Sequence, residues 1–132
     1  MKNKKRTILY ADDDIEFLKP CFIVLEHEAN CLVMPYSNGT ELVRDVEQGL
    51  GYDLAIVDLS MDNESGPDIA NRLKILHKDK PIVLTSGHLK AEYEARKYIK
   101  LSCDSYLGKP YDTDVLIRAI NNFFPETKAV KK

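Results

Sequence analysis

The chain has 132 residues, 44% of them hydrophobic and 30% charged, with a formal net charge of −2. These values fit one globular domain with a single good core, and the net charge suggests neither a nucleic-acid binder nor a membrane-surface protein. No apolar run reaches spanning length, and the leader Met1-Lys2-Asn3-Lys4-Lys5-Arg6 passes into a strand pattern rather than a signal-peptide core. A cytoplasmic protein with no membrane contact and no direct nucleic-acid contact is therefore expected. The three cysteines, Cys21, Cys31 and Cys103, have no Cys-x-x-Cys spacing and read as buried or idle thiols.

In chain order, strand and helix patterns alternate without a linker. Residues 7–11 are a short apolar run, hence a first strand. Asp14 can cap a helix through about Ala29, in which Ile15, Leu18, Phe22, Leu25 and Ala29 recur at helical spacing. Pro20 falls inside that pattern, removes an N–H and is expected to kink the helix near its second turn, costing up to ~3 kcal/mol that packing must offset. Residues 31–34 read as a second strand ended by Pro35. Residues 37–40 then form a turn, and residues 41–48 a short helix stopped by Gly49 and Gly51. Residues 54–57 are a continuous apolar run, the pattern of a strand buried on both faces, and it ends abruptly in Asp58.

Beyond Asp58, residues 60–66 read as a polar loop, and Pro67 suits the first turn of a helix over 68–77. Pro81 opens a fourth strand at 82–85, Ser86-Gly87-His88 form a turn, and residues 90–99 make a charged helix. A fifth strand at 105–107, a Gly108-Lys109-Pro110 turn and an amphipathic helix at 112–124 follow. The expected organisation is one domain over residues 5–125 and a disordered tail at 126–132. Five strands each followed by a helix imply an α/β fold, a doubly wound parallel sheet covered on both faces.

Asp12-Asp13, Asp58, Thr85-Ser86 and Lys109-Pro110 each stand at a strand end, where open α/β sheets place their ligands. Each motif alone is common. Taken together and in this order, they resemble the receiver domain of two-component response regulators, of the chemotaxis-regulator type, from about Thr7 to Phe124. The resemblance implies a flavodoxin-like five-stranded sheet in the order 2-1-3-4-5. Three carboxylates crowded in a cleft repel one another, and a hard divalent cation with oxygen ligands offsets that repulsion. By resemblance the cation is Mg²⁺. Asp13, Asp58 and the Ser60 backbone carbonyl are its direct ligands, and Asp12 acts largely through water. Asp14 belongs instead to an acidic helix start.

The resemblance makes Asp58 the phosphoacceptor, a carboxylate nucleophile that yields an aspartyl phosphate. Lys109, a compact point charge, and the Thr85 hydroxyl would neutralise and hold phosphoryl oxygens. Pro110 can hold a cis bond, as family members commonly do. Tyr106, three residues before Lys109, stands at the place of the family's aromatic switch, whose packing follows Thr85. Tyr93 and Tyr98 read as ordinary aromatics, and His27, His77 and His88 as solvated side chains. The family's usual proline four residues after the phosphoacceptor is Asp62 here, followed by Glu64, so a more mobile and more acidic loop is expected beside the metal. Gly66 matches the family's glycine. Ser60 and Gly87 occupy places that tune dephosphorylation and are both small.

The expected function is a phosphoacceptor switch rather than an enzyme, with at most Mg²⁺-dependent self-phosphorylation and self-dephosphorylation. Its expected partners are a sensor histidine kinase or histidine phosphotransfer protein upstream and a protein target downstream. The alternative is a receiver-like interaction module that no longer uses phosphate, against which the intact site set argues. A small phosphohydrolase is the third reading, and it lacks a dedicated general base. The Met1 start and charged tail favour a stand-alone receiver over a piece of a longer regulator.

Overall fold

The computed structural model describes residues 5–61, 64–87, 104–109 and 111–124. Five strands form one parallel sheet: β1 (Arg6–Ala11), β2 (Cys31–Tyr36), β3 (Leu54–Asp58), β6 (Ile82–Ser86) and β7 (Ser105–Gly108). Their order is β2-β1-β3-β6-β7, which is 2-1-3-4-5 when only the strands of this sheet are counted. Among the described residues the helices are α1 (Ile15–Glu28), α2 (Gly39–Glu47), α3 (Gly66–Leu76) and α4 (Thr113–Asn121). Between β3 and α3, β4 (Ser60–Met61) and β5 (Glu64–Ser65) pair as a small antiparallel hairpin. The predicted helix 90–99 with Tyr93 and Tyr98, the residues Asp62, His88, Cys103 and Pro110, and the tail lie outside the described residues.

Strand periodicity builds two cores from one sheet. Leu9, Ala11, Ala55, Val57 and Leu84 face one side, against Leu42, Val43 and Val46 of α2 and Ile69, Ala70 and Leu73 of α3. Their strand neighbours Ile8, Tyr10, Leu54, Ile56 and Val83 face the other side, against Leu18, Phe22 and Leu25 of α1 and Leu116 and Ile120 of α4. This is the doubly wound arrangement of an α/β sheet, and burial on both faces explains the unbroken apolar run of β3. Burial pushes the Cys31 thiol up to about 11 and also raises that of Cys21, in keeping with inert thiols.

Several local expectations change. Pro35 does not end β2; the strand continues to Tyr36, with Pro35 opposite Tyr10. The Arg6 N–H donates to the Asn30 carbonyl and the Asp12 N–H to the Tyr36 carbonyl, so the even-numbered residues of β2 turn their backbone toward β1. Pro35 is odd-numbered, and its nitrogen faces the open edge, where no ladder bond is lost. Helix α2 starts at Gly39 rather than Glu41, because the Asn38 side chain accepts the Glu41 N–H at 2.8 Å and turns the expected turn residues into a capped first turn. Asp14 holds the cap position of α1 without a side-chain cap bond; its own N–H donates to Asp12 Oδ1 at 2.8 Å. The helix continues through Pro20. At the other end of the chain, α4 is shorter than the expected 112–124.

Candidate functional site

Parallel register brings the strand-end residues together. Ala11 is opposite Val57 and Asp58 is opposite Thr85, while Ser86 is opposite Gly108. Asp12, Asp58, Thr85 and Lys109 therefore leave adjacent strands at the same carboxyl edge. Backbone bonds fix that edge further: Leu59 N–H to the Thr85 carbonyl at 2.7 Å, and Lys109 N–H to the Ser86 carbonyl at 2.7 Å. Tyr111, two residues past Lys109, hydrogen-bonds through its hydroxyl to that of the buried Tyr10, tying this segment to β1. Burial raises the Tyr111 hydroxyl pKa.

Carboxylate oxygens of Asp12, Asp13 and Asp58 lie within 4.8 Å of one another. Asp12 is fully buried, Asp58 is 6% exposed and Asp13 is exposed, so the cluster opens to solvent on one side. Lys109 Nζ sits 2.5 Å from Asp12 Oδ2 and 3.6 Å from Asp58 Oδ2. Among the described residues the Lys109 ammonium stands with these three carboxylates, and every potential ligand atom is a hard oxygen. That donor set suits Mg²⁺ or a similar hard cation. Thr85 is fully buried, and among the described residues its hydroxyl has no hydrogen-bond partner. Tyr106 is half-buried and packs against the core on the α2–α3 side.

The loop after Asp58 departs most from expectation. Instead of an irregular segment, Ser60 pairs with Ser65 and Met61 with Glu64. The Gly66 N–H donates to the Leu59 carbonyl at 3.1 Å, and the Ser65 hydroxyl caps α3 by accepting the Asp68 N–H at 3.3 Å. Glu64 does not add loose negative charge beside the carboxylate cluster. It accepts from the Gly39 N–H at 2.6 Å, from the Thr40 N–H at 2.9 Å and from the Thr40 hydroxyl. Burial alone would raise its carboxyl pKa, but those hydrogen bonds and the Arg72 charge outweigh it and lower the pKa. Sequence reasoning missed this role. The available signal was the exposed first turn that follows Asn38, a place that attracts carboxylates.

His77, expected as a solvated side chain, is instead half-buried: it caps the end of α3 and meets the Tyr52 ring edge-on, with centroids 5.7 Å apart. His27 lies in the last turn of α1.

Comparison with known proteins agrees with this geometry. Residues 8–121 match the response regulator receiver domain family. The chain is 34% identical over 126 residues to the DNA-binding transcriptional regulator NtrC of Azospirillum brasilense, covering 90% of this chain and 25% of that protein. It thus spans about a quarter of that regulator's length. A response regulator receiver domain from Clostridium thermocellum superposes with a TM-score of 0.81 at 28% identity, over 95% of this chain and 98% of that one. The response regulator TrrA of Thermotoga maritima, solved in complex with Mg²⁺ and BeF, has the same fold, with a TM-score of 0.77 at 24% identity, over 90% of this chain and 99% of its own. With the family match covering most of the chain and the acidic cluster at the carboxyl edge of the sheet, this protein belongs to the response regulator receiver domain family.

Proposed function

We propose that this chain is the phosphoacceptor switch of a two-component system. It takes a phosphoryl group onto Asp58 from a phosphohistidine of a sensor histidine kinase or phosphotransfer protein and passes the change to a downstream protein target. The observation that carries this reading is the buried Thr85 hydroxyl. It sits in register with Asp58 and, among the described residues, has no hydrogen-bond partner. A buried unpartnered hydroxyl costs about 1–3 kcal/mol, and a phosphoryl oxygen on Asp58 would recover it.

In the transfer, an Asp58 carboxylate oxygen forms a bond to phosphorus while the histidine N–P bond breaks, and the imidazole leaves with the electron pair. Asp13, Asp58 and the Ser60 carbonyl would hold Mg²⁺, with Asp12 acting through water; when bound, the cation neutralises charge on the phosphoryl oxygens. Lys109 adds a second positive charge that is already in place, 3.6 Å from Asp58. The chain acts as a phosphoacceptor and not as an enzyme for a separate substrate, its own chemistry being at most Mg²⁺-dependent self-phosphorylation and self-dephosphorylation. A cytoplasmic setting fits this role, and among the described residues no helix is long and apolar enough to cross a membrane.

The test is intact mass after incubation with Mg²⁺ and acetyl phosphate. One added phosphoryl group is expected in the wild type and none in Asp58→Asn. No gain in the wild type, even with candidate kinases, would favour the phosphate-independent module.

Tyr106 is the proposed output switch, turning inward once Thr85 is drawn toward the phosphoryl group. Tyr106→Ala is expected to take up phosphate normally but to lose the shift changes that beryllofluoride induces in β7. Identical responses in wild type and variant would reduce the tyrosine to core packing.

A further inference from the structure

Glu64 stands outside the carboxylate cluster, and the phosphoacceptor chemistry makes no use of it. Both of its oxygens are engaged on the far side of the loop, by the Gly39 and Thr40 N–H groups and the Thr40 hydroxyl. These donors belong to the first turn of α2, where a helix leaves N–H groups unsatisfied and favours negative charge. The Asn38 side chain takes a further one, that of Glu41, so the two side chains share the capping of this turn. The engagement is specific: the Gly39 N–H lies 2.6 Å from Oε1 and the Thr40 N–H 2.9 Å from Oε2.

The same residue is half of a short ladder. Glu64 is opposite Met61, and its neighbour Ser65 is opposite Ser60. A ladder of two pairs is too short to hold its own shape in water. Three ties hold it here: Gly66 N–H to the Leu59 carbonyl, Ser65 to the first turn of α3, and Glu64 to α2. The first two join the loop to its own continuation. The Glu64 tie crosses to a different helix and spans 25 residues of sequence at Gly39.

We infer that Glu64 is a positioning residue that clamps the β4–β5 hairpin to the first turn of α2 and thereby fixes the Ser60 carbonyl for the cation, setting the metal affinity of the Asp58 site. This rests on the Mg²⁺-dependent phosphoacceptor reading. A carbonyl donor contributes only if its backbone is held in place, and groups that orient ligands are typically worth 10- to 100-fold in metal affinity.

The experiment titrates Mg²⁺ into wild type, Glu64→Ala, Glu64→Gln and Thr40→Val, well below their melting temperatures, following backbone amide resonances. Amide exchange is measured in the metal-free proteins alongside. Glu64→Ala is expected to weaken Mg²⁺ about tenfold, and Glu64→Gln, which keeps one acceptor oxygen, to recover part of the loss. Thr40→Val carries no charge change and lies away from the cluster, so it should weaken Mg²⁺ in the same direction by a smaller factor. In metal-free Glu64→Ala, exchange at Gly39 and Thr40 should accelerate while the sheet amides stay unchanged.

Wild-type affinity in Glu64→Ala overturns the proposal. So does a loss in Glu64→Gln as large as in Glu64→Ala, because the carboxylate would then act only through its charge. If Glu64→Ala does not fold, Thr40→Val decides: accelerated exchange at Gly39 and Thr40 with wild-type Mg²⁺ affinity overturns the proposal. A wild type without any Mg²⁺ response defeats the phosphoacceptor reading instead, and the amide-exchange arm then decides the clamp: unaccelerated Gly39 and Thr40 amides would refute it.

Discussion

Gly66→Ala is expected to lower stability by about 3 kcal/mol, the upper range for overpacking, and the thermal midpoint by roughly 10 °C. A Cβ at Gly66 would lie 2.3 Å from the Asp58 carbonyl oxygen, 2.7 Å from the Leu59 Cα and 3.0 Å from the Asp58 carbonyl carbon. All three are backbone atoms. That backbone is itself pinned, since the Leu59 N–H donates to Thr85 and the Leu59 carbonyl accepts from Gly66. Relief must move backbone, at the phosphoacceptor strand end or at the start of α3 that packs on it, so phosphorylation should fall along with stability. Gly39→Ala is the control. Its Cβ would lie 2.5 Å from Ile69 Cγ1, 2.7 Å from Cδ1 and 3.2 Å from Cγ2, and a buried β-branched chain yields poorly, so this variant too should destabilise, but by displacing a side chain and not the phosphoacceptor backbone. Thermal melts of both variants, with acetyl phosphate labelling, check the contrast. A wild-type midpoint for Gly66→Ala would mean that the two chain segments do not approach this closely.

Lys109→Ala should reverse the usual expectation that a lysine matters only once phosphate arrives. Asp12 is fully buried and has the Lys109 ammonium 2.5 Å away. Removing one partner of a buried pair leaves an uncompensated charge and typically costs 3–5 kcal/mol. Lys109 is 25% exposed, so water softens the penalty, and about 2–3 kcal/mol is expected for the metal-free protein. The same deletion removes a cation that competes for the carboxylates. Mg²⁺ should therefore bind Lys109→Ala at least as tightly as wild type and raise its melting temperature by more. Phosphorylation or the response to it should nonetheless be impaired. Melting curves with and without Mg²⁺ separate these effects. A metal-free Lys109→Ala as stable as wild type, with an unenlarged Mg²⁺ response, would contradict the pairing.

The readable parts of this sequence were those in which a single local pattern decides the outcome. Alternation places Leu9 and Ala11 on one face and Ile8 and Tyr10 on the other, and the apolar run of β3 leaves Asp58 with no alternative to the strand end. Parallel register then gathers Asp12, Asp58, Thr85 and Lys109, so a constellation 97 residues wide could be read from strand ends. The hairpin after Asp58 was not legible. Its ladder is two pairs long, and the side chain that secures it reaches a helix 24 to 25 residues earlier. Nothing in Glu64's own neighbourhood distinguishes a clamp from a solvated acid. Pro35 misled for a related reason: proline stops a strand only where its nitrogen would have donated, and which way a strand faces depends on its partner.

That orientation of β2 decides how the molecule behaves in a crowded solution. A bare sheet margin is a template on which another chain can crystallise as an added strand and begin a fibre. The outward-facing residues of β2 are Cys31, Val33 and Pro35. Pro35 has no N–H to offer, and that of Val33 is taken by Glu26 of α1 at 3.5 Å. An incoming strand would find no donor at Pro35 and a shared one at Val33, while the carbonyls of these residues still face the margin. The edge is thus short of donors rather than closed, which weakens pairing along it even though Leu32 stands 44% exposed there.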